Sequence, residues 1–541
     1  MLTSPDSTAD SDRLGRNGQA AVLCTSLAIF LAHAASFQGF ICDDAFITLR
    51  YARNIALGAG PVFNVGDRVE GFSNPLLTFL LAAVQRAVPD PEWPIALARL
   101  IGVAASAGTL LVLSRLRDAR GTPGLALALA LTATTTSVAL WAVAGLETSL
   151  YGLLIVGAMA MAIARARSKP ATLGLGFLLA AIVLSRPEGV LPATALYVAR
   201  LLDPATRDDV RGHARIALAG VLPVVGYLAF RWTYYGEWLP NTFYAKHRPP
   251  VTSIRAGARY LFDFVVLNGG WLLYLPAPLA LWHPRGRRSA RLAFGVLLAY
   301  APFIFFAGGD YLNHHRFIAP VVPLIALLTG LGWERAVSIL TTVCRRRWPA
   351  TPVHALTSTG LALAWLLLLV PTVRNTMEER HSHYVNAVPY YSTIGRVVGA
   401  VVPTNWTVAV HDIGAIGWYG NTRVLDLFGL VDRSIARGEW TPDEAVERLR
   451  PEVVILHYDS RQAPVRRWRD LTGESFRRDY RRPRLEGWSI VPFRVRLDVL
   501  PLFEDRLAAL PVHLRRELGD LDLYLSTHQP DGRPVIGPLQ P

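Results

Sequence analysis

Residues 94–113 read PIALARLIGVAASAGTLLVL, a run of twenty residues in which Arg99 is the one charged side chain. About twenty apolar residues in a helix match the thickness of the hydrocarbon core of a bilayer. The run therefore predicts a membrane-spanning helix. Similar runs recur from about Ala20 to Val373, whereas the rest of the chain is mixed and rich in arginine. The sequence thus divides into a membrane part and a soluble tail.

The apolar runs number about eleven, and some are short. They are Ala20–Phe37, Pro94–Leu113, Leu125–Ala144, Thr148–Ala164, Ala171–Leu184, Val190–Leu202, Ile216–Phe230, Tyr260–Trp282, Leu292–Ala307, Phe317–Leu331 and Leu356–Val373. Clusters of arginine and lysine follow every second run, as the positive-inside rule requires of cytoplasmic loops. The apolar stretch Pro75–Val88 would break this alternation if it crossed the membrane. We therefore expect it to lie along the membrane surface.

This alternation predicts the domain organisation. Residues 1–19 form a cytoplasmic tail, residues 20–373 a transmembrane module with an outer loop at 38–93, and residues 374–541 an extracytoplasmic domain. That last segment alternates β-rich runs with helix-like stretches such as Pro442–Leu449, which is an α/β pattern. The predicted fold class is an α-helical polytopic membrane protein with about 11 transmembrane helices and a C-terminal extracytoplasmic α/β domain. We expect a multi-pass protein of a bacterial inner membrane with a cytoplasmic N-terminus.

Composition excludes several classes of protein. Hydrophobic residues make up 52% of the 541 residues, which is high for a water-soluble chain of this length. The net charge of +14 does not indicate nucleic-acid binding, because the basic residues form short clusters between apolar runs. Cys24, Cys42 and Cys344 are far apart in the sequence, so we expect neither a disulfide framework nor a zinc site.

The first outer loop begins with two adjacent acids, Asp43 and Asp44. Neighbouring carboxylates repel each other, so one could serve as a general base, or both could hold a divalent cation. Capping of the following helix is the structural alternative. Arg50 and Arg53, one helical turn apart, could pair with these acids or reach a phosphate.

Two further groups of charges lie in or beside apolar runs. Arg186 and Glu188 lie between two runs shorter than a full crossing, so they could line a cavity or form a salt bridge with each other. Asp310, His314 and Arg316 share a short outer loop, together with His315. Binding of substrate, binding of a metal ion and ordinary loop polarity are all compatible with that loop, although adjacent histidines are a poor ligand geometry.

The outer loop from Asp43 to Pro75 resembles the first periplasmic loop of C-type (GT-C) glycosyltransferases, in the branch that includes mycobacterial cell-wall arabinofuranosyltransferases. Other pieces match that branch in the same order along the chain. They are Gly145–Thr148, Ser185–Gly189, Pro240–Lys246, Gly308–Tyr311, Arg316–Phe317, His411–Ala415 and Asp426–Asp432.

The resemblance implies a GT-C fold and a role in cell-wall biogenesis. Such enzymes transfer a sugar, here expected to be arabinofuranose or another pentose or hexose, from a polyprenyl-phosphate donor to a glycan, lipid or protein acceptor outside the membrane. Asp43 or Asp44 would act as the base, since an acceptor hydroxyl must lose its proton. Cations must stabilise the leaving phosphate, and the candidates are Lys246, Arg186 and Arg316. The expected substrate-binding residues are Glu147, Glu188, Arg50, Tyr244, Asp310, His314 and Asp412.

Three alternatives remain at this stage. A lipid-linked glycan flippase or other transporter would also need charges within the membrane, although we see no paired repeats of the kind that transporters show. An oligosaccharide ligase would share the membrane class and the outer site. A membrane-anchored binding module would act through its tail alone. No cofactor is expected beyond a possible divalent cation at Asp43 and Asp44.

Overall fold

The computed structural model describes residues 6–88, 92–246, 250–268, 270–310, 314–347, 372–374, 376–377, 383–455, 471, 473–484 and 493–527. These residues form two compact units. The first unit draws on Met1–Gly39, Ala98–Tyr227 and Arg248–Glu378, and the second on Phe40–Leu97, Leu228–His247 and Glu379–Pro541. The outer loop and the C-terminal segment therefore share one unit, although more than 280 residues of sequence separate them.

The first unit consists of helices joined by turns and loops in its described residues, and two of its helices, Trp93–Ser114 and Val210–Tyr235, extend into the second unit. Its α-helices are Asp6–Ala35, Trp93–Ser114, Pro123–Thr134, Thr136–Val143, Thr148–Ala164, Lys169–Ser185, Val190–Leu202, Val210–Tyr235, Pro250–Leu267, Trp271–Tyr274, Arg287–Ala307 and Val322–Arg347. Short 3₁₀ helices occupy Pro187–Gly189, Ala277–Trp282 and Ala319–Val321.

Within the described part of the chain, five helices are long and apolar enough to cross a membrane. They are Gly15–Ala35, Trp93–Ser114, Val210–Tyr235, Arg287–Ala307 and Ala319–Cys344. Two bent helix pairs raise the number to seven if each pair is one span; in one, Pro123–Thr134 and Thr136–Val143 meet at 53°. The chain is thus a multi-pass membrane protein, but the predicted eleven crossings are not confirmed. The predicted run Leu356–Val373 lies outside the described residues except for its last two positions.

The two short apolar runs on either side of Arg186 and Glu188 form two helices joined by a turn. Pro187 disfavours helical backbone at the preceding residue, and Arg186 is accordingly extended with φ −156° and ψ 140°. Helix Lys169–Ser185 therefore ends there, and helix Val190–Leu202 begins after one 3₁₀ turn. A side chain at Gly189 would place its Cβ 2.3 Å from the carbonyl oxygen of Ile182, so the tight turn requires glycine.

The second unit combines helices with one sheet. Its α-helices are Asp43–Ala56, Pro75–Ala87, Asn241–Ala245, His383–Val401, Ile413–Gly420, Arg433–Ala436, Pro442–Leu449, Glu474–Asp479, Leu500–Ala508 and Val512–Thr527. The stretch that we expected along the membrane surface is the helix Pro75–Ala87, whose 13 residues are too few for a crossing. It packs against helix Asp43–Ala56, and it buries Leu77 and Leu81.

The sheet has five strands in the order β2-β1-β3-β5-β4. The strands are β1 Thr407–Val410, β2 Arg423–Asp426, β3 Val453–Ile455, β4 Tyr480–Arg481 and β5 Phe493–Arg496. β1 is parallel to β2 and β3, whereas β5 is antiparallel to β3 and β4. The first three strands occupy the positions of the β-rich runs in the sequence. β1 lies between β2 and β3 and is parallel to both, and the carboxyl ends of parallel strands are where α/β folds commonly place functional residues.

One apolar cluster covers a face of this sheet. Ala409, Leu425 and Val454 contribute one residue from each of the three parallel strands, and all are buried. Side chains from the flanking helices, including Val446 and Phe476, complete the cluster. The packing fixes β1 and β2, and with them the turns that follow each strand.

Candidate active site

The two acids of the outer loop begin a helix. Helix Asp43–Ala56 follows Cys42, whose extended backbone makes Cys42 the N-cap residue. Asp43 and Asp44 are thus in the first helical turn, where negative charge is favourable. The Asp43 carboxylate also accepts hydrogen bonds from the C-terminal segment of the second unit. Asp43 therefore does more than cap its own helix, which was the structural alternative.

Two backbone amides hold the Asp43 carboxylate. The amide of Gly414 donates to Oδ2 at 2.9 Å, and the amide of Ala415 donates to Oδ1 at 2.8 Å. Both amides belong to the first turn of helix Ile413–Gly420, whose amides have no partner within the helix. Each carboxylate oxygen is therefore oriented by one fixed donor and keeps further acceptor capacity.

The surroundings raise the pKa of Asp43 to about 7. Burial is the largest cause, and the neighbouring Asp412 carboxylate is the next, with a smaller contribution from Asp44. The two amide hydrogen bonds oppose this shift because they stabilise the ionised form. A carboxyl group with this pKa exchanges a proton near neutral pH, which suits a general base.

A lysine lies beside the second acid. The Nζ atom of Lys246 is 3.8 Å from Oδ2 of Asp44, and both side chains are partly exposed. Lys246 directly follows the short helix Asn241–Ala245. Tyr244 in that helix is half-buried, and the Arg437 guanidinium lies 5.3 Å from its ring centroid. The structure thus places Lys246 next to the acids, as a cation beside a leaving phosphate would need to be.

Asn241 anchors the short helix that precedes Lys246. It was not among the site residues predicted from the sequence. Its side-chain amide donates to the carbonyl oxygens of Gly429, Leu430 and Asp432 at 2.8, 3.1 and 3.1 Å. Its backbone amide donates to the carbonyl oxygen of Glu70 at 2.9 Å. Asn241 is buried, so these bonds are shielded from competition with bulk water. The signal in the sequence was its place in the matched piece Pro240–Lys246.

A buried ion pair lies behind this helix. Glu70 and Arg231 are both buried, and their side chains meet in a bidentate pair at 2.6 and 3.1 Å. Arg231 also donates to the carbonyl oxygen of Trp238 at 3.0 Å. The pair joins the outer loop to the segment that leads to Lys246. The sequence signal for this ion pair was a single arginine at the end of an apolar run, because a charge at such a place usually has a partner.

Asp426 organises the loop that Asn241 contacts. It ends β2, is buried, and accepts hydrogen bonds from the backbone amides of Phe428 at 2.9 Å and Val431 at 2.8 Å. Burial is the main cause that raises its pKa to about 7. The contacts of Asp426 are those of a residue that fixes the backbone of the loop.

Arg50 is engaged with backbone carbonyls. Its guanidinium donates to Phe63 at 2.9 Å, to Gly417 at 2.6 Å and to Thr422 at 2.6 Å. The neighbouring Arg53 donates to Trp418 at 3.2 Å. These bonds join helix Asp43–Ala56 to the C-terminal segment. They favour an architectural role for Arg50 over the contact with substrate that we expected.

The charges expected to line a cavity form ion pairs within the first unit. Arg186 pairs with Glu147 at 2.6 Å and also with Glu188. Arg316 pairs with Asp310 at 3.1 Å. All five side chains are at most 8% exposed. Two guanidinium groups thus lie against three carboxylates. Because these carboxylates already neutralise the positive charge, the contacts favour a structural network over the phosphate site predicted for these arginines.

The two adjacent histidines have unusual backbone conformations. His314 and His315 have φ angles of 68° and 56°, in the left-handed region that residues other than glycine rarely adopt. The carbonyl oxygen of His314 accepts a hydrogen bond from Trp141 at 2.9 Å. The ring of His315 lies 4.9 Å from that of Tyr260, and burial lowers the pKa of His315 to about 4. The arrangement is that of packed side chains in a tight turn.

The residues around the acids fit a divalent cation poorly. Among the residues that the structure describes, no three His, Cys, Asp or Glu side chains are placed so that they could hold a metal ion. The Asp43 carboxylate is oriented by two amides, and Lys246 already lies beside Asp44. The divalent cation considered for Asp43 and Asp44 stays a prediction.

The class of protein that this chain resembles is the membrane-embedded glycosyltransferase of GT-C type. The archaeal oligosaccharyltransferase AglB from Archaeoglobus fulgidus, solved in complex with an inhibitory peptide and a dolichol-phosphate, has a similar fold. The TM-score is 0.51 at 12% sequence identity, over 84% of this chain and 72% of that chain. At this identity the likeness concerns the fold alone.

In sequence, the chain is similar to two proteins named terminal β-(1→2)-arabinofuranosyltransferase. It is 31% identical over 324 residues to the protein of Mycobacterium tuberculosis, covering 57% of this chain and 49% of the relative. It is 27% identical over 403 residues to the protein of Corynebacterium glutamicum, covering 62% of this chain and 56% of the relative. The chain thus spans about half the length of the curated relatives that it matches.

A separate match covers the C-terminal segment. Residues 375–498 match a family described as Domain of unknown function (DUF8728). The similarity to the two arabinofuranosyltransferases confirms the resemblance that the sequence motifs predicted.

Proposed function

We propose that this chain transfers a sugar, arabinofuranose or another pentose or hexose, from a polyprenyl-phosphate donor to a hydroxyl group of a cell-envelope glycan, lipid or protein on the outer face of the membrane. The similarity to arabinofuranosyltransferases supports the class of reaction. The observation that carries the proposal is the Asp43 carboxyl group. It is oriented by two amides, its pKa is raised to about 7, and it lies next to an acid that contacts Lys246.

The reaction requires removal of a proton from a weak nucleophile. As the acceptor oxygen attacks the anomeric carbon, its proton passes to the ionised carboxylate of Asp43. The new carbon–oxygen bond forms while the bond between the anomeric carbon and the phosphate oxygen breaks. The bonding electrons leave with the phosphate. We assign the base to Asp43, because two amides orient its carboxylate and its raised pKa increases its affinity for the proton.

Negative charge accumulates on the polyprenyl phosphate as it leaves. Lys246 supplies a cation beside Asp44, and its position is held by the contacts of Asn241. A lysine ammonium on a flexible stem can move from the carboxylate to a phosphate oxygen as that oxygen gains charge. Lys246 is therefore the residue that we assign to the donor phosphate.

The proposal is tested by sugar transfer with purified protein in detergent. Radiolabelled polyprenyl-phosphate pentoses and hexoses are offered with a crude cell-envelope acceptor, with and without a chelator. We expect transfer from one donor, and we expect Asp43→Asn to abolish it while donor binding persists. Asp208→Asn is the matched control, since Asp208 is 78% exposed and, in the part of the chain described, pairs only with Arg207, which is itself 64% exposed.

Three outcomes would contradict the proposal in different ways, and a fourth, chelator sensitivity, would add a metal ion to it. Full transfer by Asp43→Asn would exclude Asp43 as the base. Loss of transfer with chelator would assign a divalent cation to the reaction. Binding of lipid donor by intact protein without any transfer would favour the flippase, and transfer of only a preassembled glycan would favour the ligase.

A further inference from the structure

The match to a domain of unknown function leaves open what the C-terminal segment contributes. Strand β1 ends at Val410, residues 411 and 412 form a turn, and helix Ile413–Gly420 begins at once. The first turn of this helix meets the first turn of helix Asp43–Ala56, within the second unit. The segment therefore contacts the acid that we assign as base.

Close approach of the two backbones requires glycine at position 414. A Cβ atom there would lie 2.0 Å from the carbonyl oxygen of Asp43 and 2.6 Å from its Oδ2. Both distances are far below any real contact of a Cβ atom, and the first involves backbone that cannot rotate away. The absence of a side chain allows the amides of Gly414 and Ala415 to reach both carboxylate oxygens.

Asp412 brings a second carboxylate to the same place. It is the N-cap residue of helix Ile413–Gly420, but its side chain makes no cap hydrogen bond. It hydrogen-bonds instead with Tyr391 of helix His383–Val401, whose pKa is raised by burial and by Asp412, so that the hydroxyl stays protonated and donates. The charged and titratable groups that influence Asp43 are thus Asp412, Asp44 and Tyr391, with Lys246 beyond Asp44.

We propose that residues 412–415 are a positioning element of the active site, in which the amides of Gly414 and Ala415 orient the Asp43 carboxylate and the charge of Asp412 strengthens it as a base. The inference rests on the proposed sugar transfer and deepens it. It assigns to the domain of unknown function the completion of the catalytic centre, and it gives Asp412 a role other than the contact with substrate expected from the sequence.

The first test uses a pair of glycine variants in the full-length protein. Gly414→Ala should lower kcat by about 100-fold, because a displacement of about 1 Å at a catalytic group costs that much. Binding of the lipid donor should persist. Gly519→Ala is the matched control: Gly519 lies in helix Val512–Thr527 with no atom near its missing Cβ among the described residues, so the change should leave transfer intact. Transfer by Gly414→Ala at the wild-type rate would overturn the proposal.

The second test uses Asp412→Asn, which removes the charge and keeps the shape. We expect the acidic limb of the kcat profile to move to lower pH by about one unit, since a neighbouring like charge shifts a carboxyl pKa by about that much. The KM for the acceptor should change little. An unmoved limb together with a raised acceptor KM would show that Asp412 binds substrate, and it would refute the positioning role.

A third measurement does not depend on enzyme activity. It can therefore test the positioning role even if the proposed sugar transfer is wrong. The midpoint of thermal unfolding at pH 8.5 is compared for the wild type, Asp412→Asn, Asp43→Asn and the double variant. If the two carboxylates repel each other, Asp412→Asn raises the midpoint more in the wild type than in the Asp43→Asn protein. Strictly additive changes would refute the proximity of the pair, whereas coupling without any sugar transfer would refute only the proposed reaction.

Discussion

Acidification should switch off sugar transfer in a way set by a single carboxyl group. Burial and the neighbouring Asp412 raise the pKa of Asp43 to about 7, so the ionised form that accepts a proton predominates only above that pH. The ionised fraction is about 90% at pH 8, about 10% at pH 6 and about 1% at pH 5. We therefore expect kcat at pH 5 to be about a hundredth of its plateau value, with a slope of one below pH 7.

The assay is transfer of radiolabelled sugar at saturating donor, from pH 5 to pH 9, with enzyme returned to pH 8 as a check on irreversible loss. A phosphodiester donor keeps its charge over this range, so the profile reports on the protein. Asp44→Asn should retain an acidic limb, because the group that titrates is Asp43. A kcat that is constant from pH 5 to pH 8 would refute the assignment of Asp43 as a base with a raised pKa.

Three further substitutions test the surroundings of the site. Lys246→Met should lower kcat more than it weakens donor binding, because the lysine charge is needed most as the phosphate leaves, and unchanged kcat would count against this role. Asn241→Ala removes the donor to three buried carbonyls and should lower the free energy of unfolding by about 1–3 kcal/mol, as measured by denaturant titration. Arg231→Met leaves Glu70 buried without its bidentate partner and should cost about 3–5 kcal/mol, whereas Arg259→Met, at a site 82% exposed, should cost almost nothing.

Local composition was sufficient to predict much of the helical structure. The run at 94–113 lies within helix Trp93–Ser114, and the stretch Pro75–Val88 is a 13-residue helix. The turn between the two short helices lies where the two apolar runs meet, and Pro187 accounts for it, since a proline disfavours helical backbone at the residue before it. These features depend on residues close together in the sequence, so they can be recognised without the fold.

The number of crossings was harder to predict. The described residues hold five helices long and apolar enough to cross, or up to seven with bent pairs, so the predicted number of about eleven is not confirmed. Helices Thr148–Ala164 and Lys169–Ser185 have 17 residues each, at the lower limit for a crossing. Apolar composition does not distinguish a short span from a helix buried within the protein, because both avoid water.

The sequence by itself determined that two adjacent acids follow the first apolar run, and that several short pieces of the chain resemble those of GT-C glycosyltransferases. Only the tertiary structure decided what each charge does. Asp43 is held by amides 371 and 372 positions away, and Arg50 donates to carbonyls up to 372 positions away. The basicity of a carboxylate and the availability of a guanidinium depend on burial and on such distant partners. Those are properties of the folded chain, which no short stretch of sequence contains.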